Sequence, residues 1–460
     1  MQVSETLSCK DTKKGKRSFI KNRESIKSGF VEGARYRFIN HGEHIELVLD
    51  SNGDRVVSKG NIVDLQNKTM STVFADVDRV NVDYQKERIV LKAHYSEQQV
   101  IKREQSIKAG GSVKIGEVFA GTGNLSLQIK RGLKQSGVRS KHVFAIERCK
   151  DKSYILSAND ELWDDKDARL FTDDIMLMDV SQLPAVDILV VSYPCVGFSM
   201  MQTDKAKRDL RHPEAGVLFV KLLEIISKTN PSTIIIENSP RMRDSDTLYI
   251  MDTVLSTTGY RNTEGTLKGH DFGDFEPRER LIKIYTSKGL TPFNVSNIKP
   301  QLSSVRKVEE ILEPHTVKET DWKPYSYLRN HAKNSAHGHG FFAATPADTK
   351  LKTFGANYAK AQPDSSFLQH PENKDLFRMF TPSEHANIRR FDTGMHRAIL
   401  ESSEGKGPFY QRGSKMRAHK MMGDSIAPLP WFAAGLAIGN WIKENHIFKS
   451  NRRYTFSQTA

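Results

Sequence analysis

The run from Val186 to Ser199, VDILVVSYPCVGFS, constrains the chain more than any other stretch. Its apolar segment from Ile188 to Val191 has the composition of a strand covered on both faces. Pro194 ends it, because proline has no N–H for a sheet ladder and fixes its own φ. Cys195 is therefore expected in the loop just past the strand's carboxyl end, the edge at which open α/β sheets bind ligands. Free cysteines are commonly small buried apolar residues, so a reactive role for Cys195 requires partners of matching chemistry on neighbouring strands.

The surrounding sequence supplies them. VKIGEVFAGTGNLSLQIKRGL, from Val113, reads as a strand to Phe119, a glycine turn at Gly121 and Gly123, and a helix with Leu125, Ile129 and Leu133 on one face. Such glycines let a ligand approach the backbone, and the helix start offers unpaired N–H groups. HVFAIE ends at Glu147, placed for the hydroxyls of a ribose. RLFTDDI ends at Asp173 and Asp174, either of which can accept a hydrogen bond from an exocyclic amine. A helix opened by Pro213 turns Val217, Leu218, Leu222, Ile225 and Ile226 inward and stops at Asn230-Pro231. STIIIENSPR then closes another buried strand at Glu237 and Asn238. In GHDFGDFEPRERLIKIYTS, Arg278 and Arg280 stand at alternate positions before a strand from Leu281 to Tyr285, which points both the same way.

The chain has 460 residues, a net charge of +14 and only three cysteines, Cys9, Cys149 and Cys195. Its length allows two or three domains, its charge favours a polyanionic partner such as nucleic acid, and its unpaired cysteines argue against a disulfide framework. No metal site is expected. The basic amino terminus has no apolar core behind it, as a secretory signal would, and Trp431 to Ile442 is too short to span a bilayer. A soluble cytoplasmic protein is the expectation. Residues 1–29 read as a mobile basic tail. Residues 30–112 read as a small β-rich module in which RYRFIN, HIELVLD and RVVSKG are strands, the last two joined by an Asn52-Gly53 hairpin. Glu87 to Ala93 adds a strand, and Ser106 to Ser112 reads as a linker.

The motifs from Val113 to Ile442 together resemble the cytosine-5 DNA methyltransferases. FAGTGNLS is similar to the family's S-adenosylmethionine glycine motif, PCVGFS to its Pro-Cys nucleophile motif, ENS to its Glu-Asn motif and EPRERLIKI to its Gln-x-Arg-x-Arg motif. RMFTPSE, Arg378 to Glu384, resembles Arg-x-Leu-Thr-x-Arg-Glu, and MGDSIAP resembles the final Gly-Asn-Ser-Val element. The departures are Val196 for glutamine, Glu276 for glutamine, Ser383 for arginine and Asp424 for asparagine. Glu276 and Asp424 would add negative charge near the site.

The resemblance implies an α/β fold, a Rossmann-like doubly wound methyltransferase sheet. It also implies a catalytic domain over 113–286, a target-recognition domain over 287–376, and a return segment over 377–448 whose closing helix packs beside the first strand, followed by a tail over 449–460. It implies S-adenosylmethionine as cofactor, bound by Phe119, Ala120, Gly121, Gly123, Asn124, Glu147, Asp174, Pro194, Asp424 and Ser425. It further implies that Cys195 adds to C6 of a flipped cytosine, since C5 alone is too weak a nucleophile. Glu237 would serve the N3/N4 edge with a raised pKa, and Arg280, supported by Arg278, would hold O2. Positive potential there would favour the Cys195 thiolate, and Asn238 would brace the nucleophile loop. The polar, basic segment from Met200 to Arg211 suits a lid closing on the phosphate backbone.

Double-stranded DNA is the implied partner, with contacts assigned to Ser199, Lys205, Lys207, Arg208, Arg211, Arg329, Lys333 and Lys350. In the looser insert, His337 and His339 in HGHG read as structural. A monomer in a prokaryotic or phage setting, with a cognate restriction endonuclease as a compatible partner, completes the expectation. Two alternatives stay open at this stage: an RNA cytosine-5 methyltransferase of the transfer-RNA type, and a nonenzymatic DNA-binding regulator on the same fold.

Overall fold

The computed structural model describes residues 3–198, 204, 208–301, 306–313, 317–333, 340–407 and 412–450. The chain forms two compact units, Met1–Lys102 and Arg103–Ala460. No helix among the described residues is long and apolar enough to cross a membrane.

The second unit is built on seven strands: β1 (Val113–Val118), β2 (Ser140–Ile146), β3 (Arg169–Phe171), β4 (Ile188–Ser192), β5 (Thr233–Asn238), β6 (Tyr260–Lys268) and β7 (Glu279–Ser287). They lie in the order β3-β2-β1-β4-β5-β7-β6. The first five run parallel and β7 is antiparallel to both neighbours. The chain moves outward from β1 through β2 to β3, then returns to place β4 against β1 and continues the other way. That reversal makes the β1/β4 edge the switch point, where the loops diverge and leave a crevice.

Both faces are covered, which explains the continuous apolar text of β4 and β5, whose Leu189, Val191, Ile234 and Ile236 are fully buried. Ile115, Ile188, Val190 and Ile235 face helix α1 (Asn124–Gln135) and the carboxyl-terminal helix. The alternate residues Leu189, Val191, Ile234 and Ile236 face helices α2 (Leu218–Thr229) and α3 (Asp246–Thr257). The closing helix α4 (Pro428–Ser450) lies directly on α1. A Cβ on Gly132 would come 2.2 Å from the Phe432 carbonyl oxygen, and one on Gly435 would come 2.2 Å from that of Ile129. The glycines of RGL and AGL therefore let two backbones touch.

The stretch read as a linker at Ser106 to Ser112 is instead the end of a helix, Tyr95–Ala109. Its Ile107 is buried in the main core and Glu104 accepts from the Gly289 amide at 2.8 Å. Polar composition hid these anchors. Between β7 and the return segment the chain forms short 3₁₀ turns and a three-stranded sheet of Phe342–Ala344, Ser366–Gln369 and Phe377–Arg378. That last strand crosses the expected boundary at residue 376, because Arg378 pairs with Leu368.

In the first unit a six-stranded antiparallel sheet runs Val3–Ser8, Arg79–Gln85, Arg88–Ala93, His44–Leu49, Arg35–Asn40, Arg55–Val56. The expected mobile tail is thus corrected: Val3–Ser8 pairs in register with Arg79–Gln85, and Cys9 and Ile20 enter the core. Val3, Glu5 and Leu7 are half-buried while Ser4, Thr6 and Ser8 are exposed, so the strand alternates with a polar text. The expected Asn52-Gly53 hairpin is also corrected, since Arg55–Val56 pairs with Arg35–Tyr36 and not with His44–Leu49. Neither residue adopts the positive φ that a type I′ turn needs. Gly53 is required for space, because a Cβ there would meet the Tyr36 carbonyl oxygen at 2.5 Å.

Candidate active site

The loops after β1, β2, β3, β4 and β5 and the segment Met421–Ile426 enclose a cavity of about 410 Å³. Phe119, directly after β1, has a φ of 58°. An aromatic residue seldom adopts this left-handed geometry, and its occurrence at a strand end facing a cavity marks a functional turn. Ala120, Gly121 and Asn124 follow on the same wall. Glu147, ending β2, accepts from the Gly121 amide and the Cys149 amide, each at 2.7 Å, so the first two strand ends are tied by one carboxylate. Asp174 caps the turn after β3, accepting from the Met176 amide at 3.0 Å, and also lines the space. Gly123 does not line it. At φ 79° it starts α1, and its hydrogen faces Leu156, whose methyl carbon a Cβ would meet at 2.4 Å.

From the opposite wall come Pro194 and Cys195 after β4, Glu237 at the end of β5, and Arg278 and Arg280 around the start of β7. Ser192 and Glu237 are register partners, which brings the two strand ends side by side. Arg280 Nε stands 2.9 Å from Glu237 Oε1. Burial raises the Glu237 carboxyl above its ordinary value, with Arg280 and Arg278 opposing the shift. This matches the expected raised pKa. The expected thiolate does not hold. Cys195 opens onto the cavity, yet burial and then the Glu237 charge push its thiol up, and Arg280 only partly counters them.

Asn238 lies behind the wall and braces it: its Nδ2 donates to the Tyr193 carbonyl at 2.8 Å, and Ser239 Oγ donates to that of Phe198 at 3.1 Å. The nucleophile loop is thus held at both sides of Cys195. Arg278 borders the cavity with Arg280 but is fixed by backbone carbonyls. It donates to the carbonyls of Ser425 at 2.6 Å, Phe354 at 2.7 Å and Gly423 at 3.0 Å. Glu276 adds no charge to the cavity, because it is buried against Arg389 in a bidentate pair, one contact of which is 3.1 Å. Asp424 does line the cavity, where Lys152 Nζ meets it at 3.0 Å. Ser425 Oγ accepts from Asn124 Nδ2 at 3.2 Å. Sequence reasoning missed Arg389 and Lys152. Each completes an ion pair with a residue that departs from the family pattern, so an unmatched acid was the available signal.

Of the expected DNA contacts, Ser199, Lys205 and Lys207 lie outside the described residues, as do the side chain of Lys333 and both His337 and His339. Arg208 and Arg211 flank a 3₁₀ turn whose Asp209 accepts from the Asp246 amide at 2.6 Å, pinning the loop to the start of α3. Lys350 is exposed. Arg329 contacts Asp375 at 3.3 Å and covers the Phe377 ring.

A parallel sheet with a cavity at its switch point, lined on one side by carboxylates and free amides and on the other by a thiol, an acid and a guanidinium, defines a group-transfer enzyme with a nucleotide-like cofactor. The family described as C-5 cytosine-specific DNA methylase matches residues 113–439, and the chain belongs to it. The chain is 28% identical over 289 residues to the type II methyltransferase M.NlaX of Neisseria lactamica, covering 60% of this chain and 85% of the relative. It is 26% identical over 289 residues to M1.ScrFI of Lactococcus lactis subsp. cremoris, covering 60% and 69%. Among solved structures, the Entamoeba histolytica methyltransferase EhMeth superposes with a TM-score of 0.56 at 18% identity, covering 73% of this chain and 98% of that one. The protein is a DNA cytosine-5 methyltransferase that uses S-adenosylmethionine. The donor set fits such a cofactor: Glu147 suits ribose hydroxyls and Asp173 and Asp174 an exocyclic amine, while Ile146 and Ile175 offer apolar walls to a flat base.

Proposed function

We propose that Cys195, Glu237 and Arg280 methylate a cytosine extruded from duplex DNA through a covalent bond from Cys195 Sγ to C6. The observation that carries this reading is that all three line one cavity whose far wall is the Gly121–Glu147 cradle. The bound S-adenosylmethionine supplies an electrophilic methyl group. Phe119, Gly121, Asn124, Glu147 and Asp174 hold and orient it. Cys195 releases its proton to solvent in the open cavity and its thiolate adds to C6, pushing the C5–C6 electron pair to C5 and on toward N3 and O2. Arg280 moves from Glu237 to O2. Glu237 then keeps its burial penalty without its counter-charge, which raises its proton affinity and prepares it to donate to N3. Once C5 carries the methyl group, loss of the C5 proton restores the double bond and expels the sulfur. Asn238 and Arg278 act by positioning, on the nucleophile loop and on Gly423–Ser425.

The segment at 287–376 would read the target sequence in the major groove, with Arg329 and Lys350 among its contacts, and the basic loop before Arg211 would close over the flipped base. The bacterial type II relatives favour a cytoplasmic protein working beside a restriction endonuclease, and the working unit we propose is a monomer. The test is a duplex carrying 5-fluorocytosine, whose C5 fluorine cannot leave as a proton does. With cofactor, the intact protein should be trapped as a denaturation-resistant adduct and Cys195→Ala should not. An adduct formed equally by the variant, or none by a protein that methylates ordinary duplex, overturns the assignment of the nucleophile.

A further inference from the structure

We propose that the hairpin tip of the amino-terminal unit binds a divalent late first-row transition-metal ion through His41, His44 and Glu46. The unit lies outside the family match at 113–439, and the catalytic chemistry makes no use of these residues.

The placement follows from sequence and register. Strands Arg35–Asn40 and His44–Leu49 pair with Asn40 opposite Ile45 and Ile39 opposite Glu46. His41 N donates to the His44 carbonyl at 3.1 Å, and Gly42, at φ +84°, closes the turn. This sets His41 and His44 across from each other at the tip, their rings stacked 4.5 Å apart. Period-two alternation puts His44 and Glu46 on one face of their strand. Ile45 and Leu47, fully buried, fill the core from the other face. Glu46 Oε2 lies 3.5 Å from His41 Nε2, and Oε1 lies 3.9 Å from His44 Nε2. One ligand atom from each residue falls within 4.8 Å of the others.

Two imidazoles and a carboxylate select zinc, nickel, cobalt or copper over calcium and magnesium, which prefer all-oxygen shells. Bonds of about 2.0–2.2 Å require the ligand atoms to close in by about an ångström. The rings can do so by side-chain rotation, since the side chains of His41 and His44 are 40% and 32% exposed. Three ligands from one hairpin leave the remaining coordination positions to water or a further donor, as in open zinc sites. Arg88 Nη1, 3.6 Å from Glu46 Oε1, competes with the ion for the carboxylate.

The experiment is calorimetric titration of the full chain with Zn²⁺, with Co²⁺ absorption reporting the ligand field. One site should be lost in His41→Ala/His44→Ala and weakened more than about tenfold in Glu46→Gln. Arg88→Ala should tighten it, and circular dichroism should match the parent throughout. Zinc should also raise the melting temperature of the parent and not of the double variant, because only the folded hairpin assembles the ligands. Equal affinity and stoichiometry in the double variant, or no binding by the parent at about 1 mM Zn²⁺, overturns the proposal. Should the double variant misfold, Glu46→Gln and His44→Gln carry the same comparison, and an unchanged affinity in both overturns it.

Discussion

Arg278 and Arg280 leave one short segment and both border the cavity, but Arg278 is fixed in a buried seam by backbone carbonyls while Arg280 meets an acid. Arg280 meets Glu237 at the cavity wall, where their side chains keep 24% and 11% of their exposure. The seam holds Glu276 against Arg389 at 1% and 0%. Arg389 donates in addition to the Met422 carbonyl at 2.9 Å and the Phe354 carbonyl at 3.1 Å, and Arg278 reaches Phe354, Gly423 and Ser425 beside it. The seam therefore fastens the β7 entry, the small inserted sheet's flank and the cofactor-side turn to one another, with Glu276 as the one acid between two guanidiniums and backbone carbonyls taking their other donors. The Arg280–Glu237 pair, which the proposed mechanism separates, sits at the edge of water, where its acid can change protonation. A pair that must never separate is closed by backbone carbonyls.

The comparison can be broken most severely at the sulfur. Cys195→Ala should lower labelled methyl transfer to duplex DNA by more than about 10⁴-fold while leaving the melting temperature unchanged, and residual transfer near the parent rate would remove the cavity from the chemistry. The seam should respond in stability. Glu276→Gln or Arg389→Met leaves a buried charge unmatched and should cost about 3–5 kcal/mol in urea unfolding. Replacing both by methionine should recover only part of that, since the Phe354 amide loses Glu276 as its acceptor. Equal stability of the single variants would mean that the seam is not closed as described.

Glu237→Gln should do the reverse, slowing turnover by about 10²–10³-fold with little loss of stability. The raised pKa of Glu237 favours its protonated form in the folded protein, so the parent's turnover should fall as pH rises through that value, and the variant's profile should lack this limb.

The finest test uses a buried acid with no cation beside it. Glu117 on β1, fully buried, is pushed up to about 8 by burial, and its nearest ionisable contact is His142 at 4.0 Å, itself held down to about 3 by burial. For a raised acid, stability is fully present below the ordinary carboxyl range and is lost as pH rises toward about 8. Above the ordinary carboxyl range and well below about 8, Glu117 should contribute a fall of about 1.4 kcal/mol per pH unit, and Glu117→Gln should remove that contribution in urea unfolding.

Much of the catalytic unit was legible before any coordinates. Continuous apolar runs such as Ile188–Val191 announce strands buried on both faces, and chemistry-bearing residues immediately after them, Glu147, Asp174, Cys195 and Glu237, must gather at one sheet edge. The amino-terminal unit resisted the same reading. Its strands hide one face only and carry polar residues even there, such as Glu5, so Val3–Ser8 looked like a solvated tail, and the order of Arg55–Val56 beside Arg35–Asn40 depends on pairing that a turn motif cannot reveal. In the site itself, spacing placed Arg278 and Arg280 on one side, whereas only the packed chain shows that Arg278 is consumed by three carbonyls of distant segments.

By itself the sequence determined which side chains end the parallel strands, because strand period and proline or glycine stops are local physics acting within a few residues. The tertiary structure alone decided how those groups are charged. Whether Cys195 holds its proton, whether Glu237 is raised, and whether Glu276 faces the cavity or Arg389 all depend on desolvation and on partners that lie far along the chain, and electrostatic free energy is set by distance in space.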